Sequence, residues 1–366
     1  MWTMIMTTMA VMAVALAARL AARVRGTRVF ARVREKHRIL SWPLAMLPVA
    51  AVGLTFALCV NVTTAFVVLL HLLVIWELSA LLVRLAARAA RRPYSRDVAA
   101  IVGISLTVVC LGAGWYMAHH VFRTDYRLVT DEIPAGERLR IVEIADAHLG
   151  ITLDGERFAR QMERVQALEP DAVLIVGDFV DDDTSAADMR EGCAALGRLK
   201  TRCGVYFSYG NHDMGYFRYR NFSAGELLAA LEQNGVTVLA DEAVRAGDDL
   251  WIVGRRDRTM HDRSSPSELM AGVDGEGYTV MMDHQPNDYA AEAAAGPDLV
   301  LSGHTHGGHI WPAGLIGLAM GANDRVYGIE TRGDTTFIVT SGISGWAIPF
   351  KTGTFSEFVV IDVVGA

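Results

Sequence analysis

Up to about residue 120 the chain is almost continuously apolar, in four runs over residues 2–20, 39–60, 62–83 and 99–118. Each is close to the ~20 residues needed to cross a bilayer as a helix. Beyond residue 138 the pattern changes to short apolar runs alternating with amphipathic stretches. Strands are predicted over 139–145, 172–176, 205–209, 250–253, 278–282, 299–301, 336–340 and 355–361, and helices over 156–168, 186–199 and 223–233. Ser223, followed three residues on by Glu226, reads as a capping box at the start of the last helix. The alternation predicts an α/β domain with a buried sheet. The chain therefore divides into a four-helix membrane region (1–120), a polar linker (121–137) and an α/β domain (138–366).

Charge sharpens this division. Up to Pro134 the chain carries 15 basic against 6 acidic residues, and afterwards 19 against 35, so a net +9 gives way to −16. An acidic second half argues against nucleic acid as a partner, because phosphate backbones are captured by clustered Lys and Arg. Thirteen of these 15 basic residues gather in two loops, Arg19 to Arg38 and Arg84 to Arg96, while the turn around Asn61 has none. By the positive-inside rule those loops face the cytoplasm, which predicts a multi-pass protein of the cell membrane with its α/β domain outside the cytoplasm. The first run is not a signal peptide, since its basic cluster follows the apolar stretch. Within the third run, Glu77 lies one helical face from Arg84 and is predicted to pair with it; His71 is the other ionisable residue there.

Four cysteines without a CxxC exclude a zinc ribbon or a thioredoxin-type motif. Cys193 and Cys203 would either pair in an oxidising compartment or remain two buried thiols.

The chemistry sits at the ends of the predicted strands. The first ends in Asp146-Ala147-His148, and the second runs into Gly177-Asp178-Phe179-Val180-Asp181. The third runs into Gly210-Asn211-His212-Asp213, the strand at 278–282 into Asp283-His284, and the strand at 299–301 into Gly303-His304-Thr305-His306-Gly307-Gly308-His309. Ligands bind at strand ends in α/β sheets. Any one of these motifs is an ordinary turn; five in order, each after an apolar run, are not. Imidazole and carboxylate without thiolate suit manganese, iron or zinc.

This series, DxH, GDxxD, GNHD, a later His and GHTH, resembles the calcineurin-like metallophosphoesterases, over about residue 139 to the C-terminus. With the apolar first region, it is most similar to the membrane-anchored bacterial branch, which includes enzymes acting on phosphorylated lipids. The resemblance implies a four-layer α/β/β/α sandwich, here preceded by an α-helical transmembrane bundle, and two divalent metal ions between the strand tips. It implies that Asp146, His148, Asp178 and His306 hold one metal and that Asp178, Asn211, His284 and His304 hold the other, with Asp178 as the bridge. Only two carboxylates against two divalent cations leave net positive charge to receive a phosphate. By the same resemblance His212 faces the leaving group as an acid, with Asp213 orienting it, and Asp181 bonds a ligand histidine or holds the turn. Ala145-Asp146-Ala147 departs from the family's usual Ser-Asp-Leu, and His309 from a common Gln. His309 either contacts substrate or caps the turn.

Two apolar, glycine-rich stretches follow the metal motifs, 310–321 and 345–350. They either pack under the second sheet or reach a lipid phosphoester at the membrane interface. The expected function is a phosphohydrolase acting, with metal-activated water, on a phosphorylated small molecule or a lipid-linked or envelope phosphoester or pyrophosphate. The alternatives are a metal-dependent receptor that binds such a ligand without turnover, and a transporter with an ancillary soluble domain. A receptor would not need an intact His212 and bridging Asp, and a transporter would need polar faces in its spans.

Overall fold

The run Arg138–Ile144 places Leu139, Ile141 and Val142 in apolar surroundings on both faces, and each is nearly or fully buried. A strand apolar on both faces must be covered on both. That requirement sets the architecture of the second half. The computed structural model describes residues 2–216 and 220–366, with residues 2–10 described by backbone alone. It divides into two compact units, Met1–Ala113 and Gly114–Ala366.

The helices of the first unit are α1 (Trp2–Arg25), the short α2 (Ala31–Lys36), α3 (Ser41–Cys59), α4 (Val62–Ala89) and the greater part of α5 (Arg96–His119). Of the described residues, α3, α4 and α5 are long and apolar enough to cross a membrane. The first predicted span, 2–20, falls on α1, and its side chains at 2–10 lie outside the described residues. Leu16, Leu20, Val49, Trp76 and Ala100 form the apolar core of this unit. Glu77 does not use Arg84. It takes hydrogen bonds from Arg19 Nε and Arg23 Nε of α1, each at 2.8 Å. Helical spacing predicts a neighbour on the same helix, but packing of α1 against α4 supplies two guanidiniums at once, and a carboxylate in an apolar layer is best held by both.

The described residues of the second unit form twelve strands: β1 (Val121–Thr130), β2 (Arg138–Ile144), β3 (Ala172–Val176), β4 (Gly204–Ser208), β5 (Thr237–Leu239), β6 (Glu242–Arg245), β7 (Leu250–Gly254), β8 (Tyr278–Met282), β9 (Leu299–Ser302), β10 (Gly328–Arg332), β11 (Thr335–Val339) and β12 (Ser356–Gly365). They form two six-stranded sheets, in the orders β1-β12-β2-β3-β4-β5 and β10-β11-β9-β8-β7-β6. Strands β2 to β5 run parallel, as do β7, β8, β9 and β11.

Ile141, Leu174, Ile252, Val280, Leu299, Ile338 and Val359 pack between the sheets. Helices α6 (Gly155–Gln166), α7 (Ala186–Gly197) and α8 (Ala224–Gln233) cover the first sheet through Phe158, Met162, Met189, Leu196, Leu227 and Leu231. The outer side of the second sheet is covered through Leu269 of α9 (Pro266–Met270) and Tyr289 of α10 (Tyr289–Ala295), packed with Val253, Val300 and Phe337. The result is a four-layer α/β/β/α sandwich. Helix α11 (Ala313–Ala319) lies outside these layers and has no buried residue. The capping box at Ser223 and Glu226 is formed.

Four strands, β1, β5, β6 and β10, lie outside the eight predicted, and the two cysteines take one of the two states open to them. Residues 121–130, read as linker, form β1, a strand parallel to β12. Its alternation of Arg123, Asp125 and Arg127 with Thr124, Tyr126 and Leu128 is the signature of a strand with one wet face, and charge on an edge strand blocks further pairing. Cys193 and Cys203 are free thiols on opposite faces of the first sheet, one under the helices and one between the sheets. Burial pushes the Cys193 thiol up to about 12.

Candidate metal centre

Parallel strands deliver their C-terminal tips to one edge, and β2, β3 and β4 of the first sheet and β8 and β9 of the second bring theirs together. The tips are stitched by backbone hydrogen bonds. Asp146 N donates to Gly177 O (3.1 Å), His148 N to Asp178 O (3.0 Å) and Gly303 N to His284 O (3.0 Å). Two bonds cross between the sheets: His304 N to Asp146 Oδ1 (3.0 Å), and His284 Nδ1 to Val176 O (2.9 Å). A carbonyl only accepts, so His284 carries its proton on Nδ1 and offers Nε2 to the centre.

The chain bends hard to aim these groups. Asp146, His148, Asp178, His304, His306 and His309 all have positive φ, between 36° and 67°. Such a backbone costs a non-glycine residue about 1–3 kcal/mol and persists only where its surroundings over-determine it. Asp213 is one determinant. Its buried carboxylate accepts from the backbone N–H groups of Asp178, Phe179, Val180 and Gly210 at 2.7 to 3.2 Å. Close approach is another: a Cβ on Gly210 would stand 2.2 Å from Asp178 Oδ1, and one on Gly177 2.6 Å from His284 Nδ1.

Three groups of potential ligand atoms result, each with all members within 4.8 Å of one another: Asp146, His148 and His306; Asp178, His284 and His304; and His148, Asp181 and His212. His148 Nε2 lies 3.2 Å from His306 Nε2 and 3.5 Å from Asp178 Oδ2. His284 Nε2 lies 3.1 Å from Asp178 Oδ2, so Asp178 touches both of the first two groups. Asn211 is buried on the same tip as His212, whose N–H donates to Asp178 Oδ1 at 2.8 Å.

The third group is a relay of one hydrogen bond, between Asp181 and His212, and one close polar contact, between Asp181 and His148. Asp181 Oδ2 faces His148 Nδ1 at 3.2 Å and Asp181 Oδ1 faces His212 Nδ1 at 2.9 Å. One carboxylate thus fixes two imidazoles and leaves the Nε2 of each to the centre. It is Asp181, not Asp213, that contacts the His212 ring: Asp213 follows His212 directly, and its carboxylate is taken up by the four backbone donors.

Electrostatics follow from burial and these contacts. Burial pushes Asp178 up, yet His284 beside it holds its carboxylate well below the usual range. Burial would lower His284, but Asp178 and then Asp146 hold it well above. Burial raises Asp146, lowers His304 to about 4 and, with His148 adjacent, holds His306 well below its ordinary value. His212 is raised despite burial, through its bond to Asp181 and the Asp178 charge.

Metal ions fit this arrangement. Two neutral imidazole nitrogens 3.2 Å apart repel through their lone pairs, and a cation between them removes the conflict. Asp146 Oδ2 and His306 Nδ1 are buried with no hydrogen-bond partner among the described residues. Imidazole and carboxylate without thiolate are the ligands that borderline divalent ions take.

Sequence reasoning passed over Tyr216 and Lys351 beside the centre, and singled out Trp346 only as part of the apolar stretch 345–350. Trp346 and Tyr216 flank the His212 ring, with centroids at 5.5 and 4.9 Å, and both are roughly half exposed. A cleft of about 370 Å³ opens beside Asn211 and Tyr216, lined also by Thr259, Met260 and His261. Lys351 is buried and donates to Ser341 O (2.7 Å) and Gly342 O (3.2 Å), holding the turn on which a Gly342 Cβ would meet Asp146 Cβ at 2.6 Å. Burial lowers its ammonium to about 7. The signal available was a lone lysine in the apolar stretch Ile348-Pro349-Phe350-Lys351. His309 donates its N–H to His306 O at 2.9 Å, and its ring lies 5.3 Å from that of His306.

Residues 139–308 match the family model of the calcineurin-like phosphoesterases. The chain is similar to the transmembrane protein with metallophosphoesterase domain of Bos taurus, at 32% identity over 251 residues, which are 64% of this chain and 54% of that protein. The protein of that name from Danio rerio is 30% identical over 253 residues, 65% of this chain and 56% of that one. An uncharacterized metallophosphoesterase of Aquifex aeolicus is 29% identical over 265 residues, 70% of this chain and 97% of that one. The chain spans just over half the length of the two animal relatives.

Proposed function

The chain carries a calcineurin-like metallophosphoesterase domain, and from that premise we propose that it is a membrane-anchored, two-metal phosphohydrolase. Its substrate is a lipid-linked or cell-envelope phosphoester or pyrophosphate. The observation that carries this reading is the relay through Asp181, which fixes the rings of His148, inside the ligand set, and His212, outside it.

Asp146, His148, Asp178 and His306 would hold one ion, and Asp178, Asn211, His284 and His304 would hold the other. When bound, two divalent cations neutralise phosphate oxygens and bring the pKa of a coordinated water towards ~7. The protein's own contribution is geometric and acidic. Asp213 locks the Asp178 turn through four backbone N–H groups. Asp181 holds His212 by Nδ1, and its negative charge favours the imidazolium, which donates from Nε2 to the departing oxygen. The apolar rim of Trp346 and Tyr216 beside His212 excludes water from that side and offers an apolar leaving group a surface to lie on. Three helices long and apolar enough to cross a membrane support the anchor. The two basic loops support a catalytic domain outside the cytoplasm.

The test of the activity is hydrolysis of an aryl phosphate ester by the purified chain loaded with manganese. Turnover in the wild type and none in Asp178→Asn is expected; retained turnover in the variant would refute the site. Incubating the loaded protein with lipid and cell-wall extracts, and identifying the species consumed, names the substrate.

A further inference from the structure

Helix α11 is anomalous for a water-facing element. It reads Ala-Gly-Leu-Ile-Gly-Leu-Ala, none of its residues is buried, and no charged residue breaks it. Leu315 and Ile316 are 63% and 53% exposed, with Trp311 just before at 59% and Met320 just after at 78%. Soluble surfaces scatter such residues singly; a contiguous exposed patch marks an interaction surface. Of the two packings open to this stretch from sequence, the one under the second sheet is not taken.

What covers the patch follows from how α11 is tied within its own unit. The turn before it, His309 to Trp311, is bound to residues 351–353: Gly353 N donates to His309 O at 2.9 Å, and Trp311 N to Thr352 Oγ1 at 3.3 Å. The same strap is bound on its other side to the last turns of α5. Lys351 N donates to Gly114 O at 2.9 Å, and a Cβ on Gly114 would meet Thr352 Cγ2 at 2.8 Å. Three residues beyond the strap, Ser356 Oγ donates to Ala118 O at 2.9 Å. That end of α5 exposes Trp115 and Tyr116, about half of each. Aromatic rings at the end of an apolar spanning helix sit at head-group level. A three-residue strap therefore joins the end of α5 to the base of an apolar helix that rests on Gly308 and Val326 through Gly314 and leaves its large apolar side chains exposed.

We infer that α11, with Trp311 and Met320, is a membrane-interface lip that inserts its apolar side chains into the leaflet from which α5 emerges. The occupant of the patch is the lipid bilayer itself. This rests on the proposal that α5 spans the membrane, and it deepens the proposed function. The turn that anchors the lip begins at His309, three residues after His306, so inserting it brings the metal centre to head-group height, where a lipid phosphoester presents its phosphate without leaving the bilayer.

The test uses the full chain with an environment-sensitive fluorescent amino acid incorporated singly at Leu315, at Leu106 of α5 or at Glu156 of α6. Each protein is reconstituted into vesicles of phosphatidylethanolamine and phosphatidylglycerol without quencher, with lipid carrying a shallow nitroxide that reports position 315, and with lipid carrying a deep acyl-chain nitroxide that reports position 106. Leu106 is 47% exposed within a helix apolar enough to span, and the Glu156 side chain is 84% exposed on the outer helical layer. Emission from position 315 is expected to fall severalfold with the shallow quencher and to shift to the blue, while position 156 is unaffected. Quenching at 106 without quenching at 315 would overturn the lip and leave the anchor standing. Absence of quenching at both 106 and 315 would overturn the anchor and the lip together. Neither outcome depends on catalysis, so failure of the phosphohydrolase reading would show separately in the aryl phosphate assay.

Discussion

At the strand tips, Asp146, His148, Asp178 and His284 are buried almost completely, whereas at α11, Trp311, Leu315, Ile316 and Met320 stand more than half exposed. The two regions invert the usual partition of polar and apolar groups in opposite senses, and they do so within ten residues of each other along the chain, between His306 and Leu315. Burying unpaired charge costs several kcal/mol unless partners compensate. At the centre the compensation is visible: His284 against Asp178, Asp181 against two imidazoles, and four backbone donors on Asp213. Around α11 the described residues leave these large apolar side chains more than half exposed. The centre is a site whose partners are nearly all supplied by the chain and completed by cations. The lip is a site whose partner is supplied from outside.

The contrast predicts which substitutions matter to which property. At the largest end, Asp178→Asn removes the one carboxylate that touches both ligand groups, and hydrolysis of an aryl phosphate should fall by about 10³-fold or more, equivalent to roughly 4 kcal/mol. Extraction of metal with a chelator should do the same to the wild type, and added manganese should restore it. Steady-state kinetics before and after chelation check both.

Next in size, His212→Asn should lower kcat by about 10²-fold while metal content, measured by elemental analysis, stays at the wild-type level. The deficit should shrink for esters with good leaving groups, which need no acid. An equal deficit for good and poor leaving groups would remove His212 from the leaving-group role. Asp181→Asn should act through both rings it holds, weakening metal affinity by about 10-fold and lowering kcat as well; a metal titration of the variant separates the two.

Smallest at the centre and largest at the membrane, Leu315→Asp with Ile316→Asp should leave hydrolysis of a soluble aryl ester unchanged. Stability should change by no more than about 0.5 kcal/mol, as for other surface positions. A loss of soluble-ester activity in this double variant would mean that α11 supports the centre, and the contrast between the regions would collapse.

Much of the centre was legible before any fold was in hand, because its residues lie at strand ends and the strands announce themselves as apolar runs. Asp146, Asp178, His284 and His304 need only a strand, a glycine turn and a count. What the sequence hides is which groups meet across distance. Asp213 reads as the natural partner of adjacent His212, yet a carboxylate beside a tight turn is drawn to the turn's own N–H groups, and the imidazole finds Asp181 thirty-one positions away. Glu77 repeats the lesson, with Arg84 near in helical spacing and Arg19 and Arg23 near in space. β1 escaped notice for another reason: its charges alternate with apolar residues, and without knowledge of β12 beside it, alternating charge reads as a linker. Helix α11 was legible as apolar but not as unpacked, since hydrophobicity does not say whether its partner is protein or lipid.

The central claim is that a two-metal centre at these tips hydrolyses phosphoesters. It is tested most directly by titrating manganese into the metal-stripped chain while following both bound metal and aryl phosphate hydrolysis. Activity that rises with added metal and saturates at two ions per chain is the expected result. Two ions bound with no turnover, or full turnover with no metal bound, would contradict it.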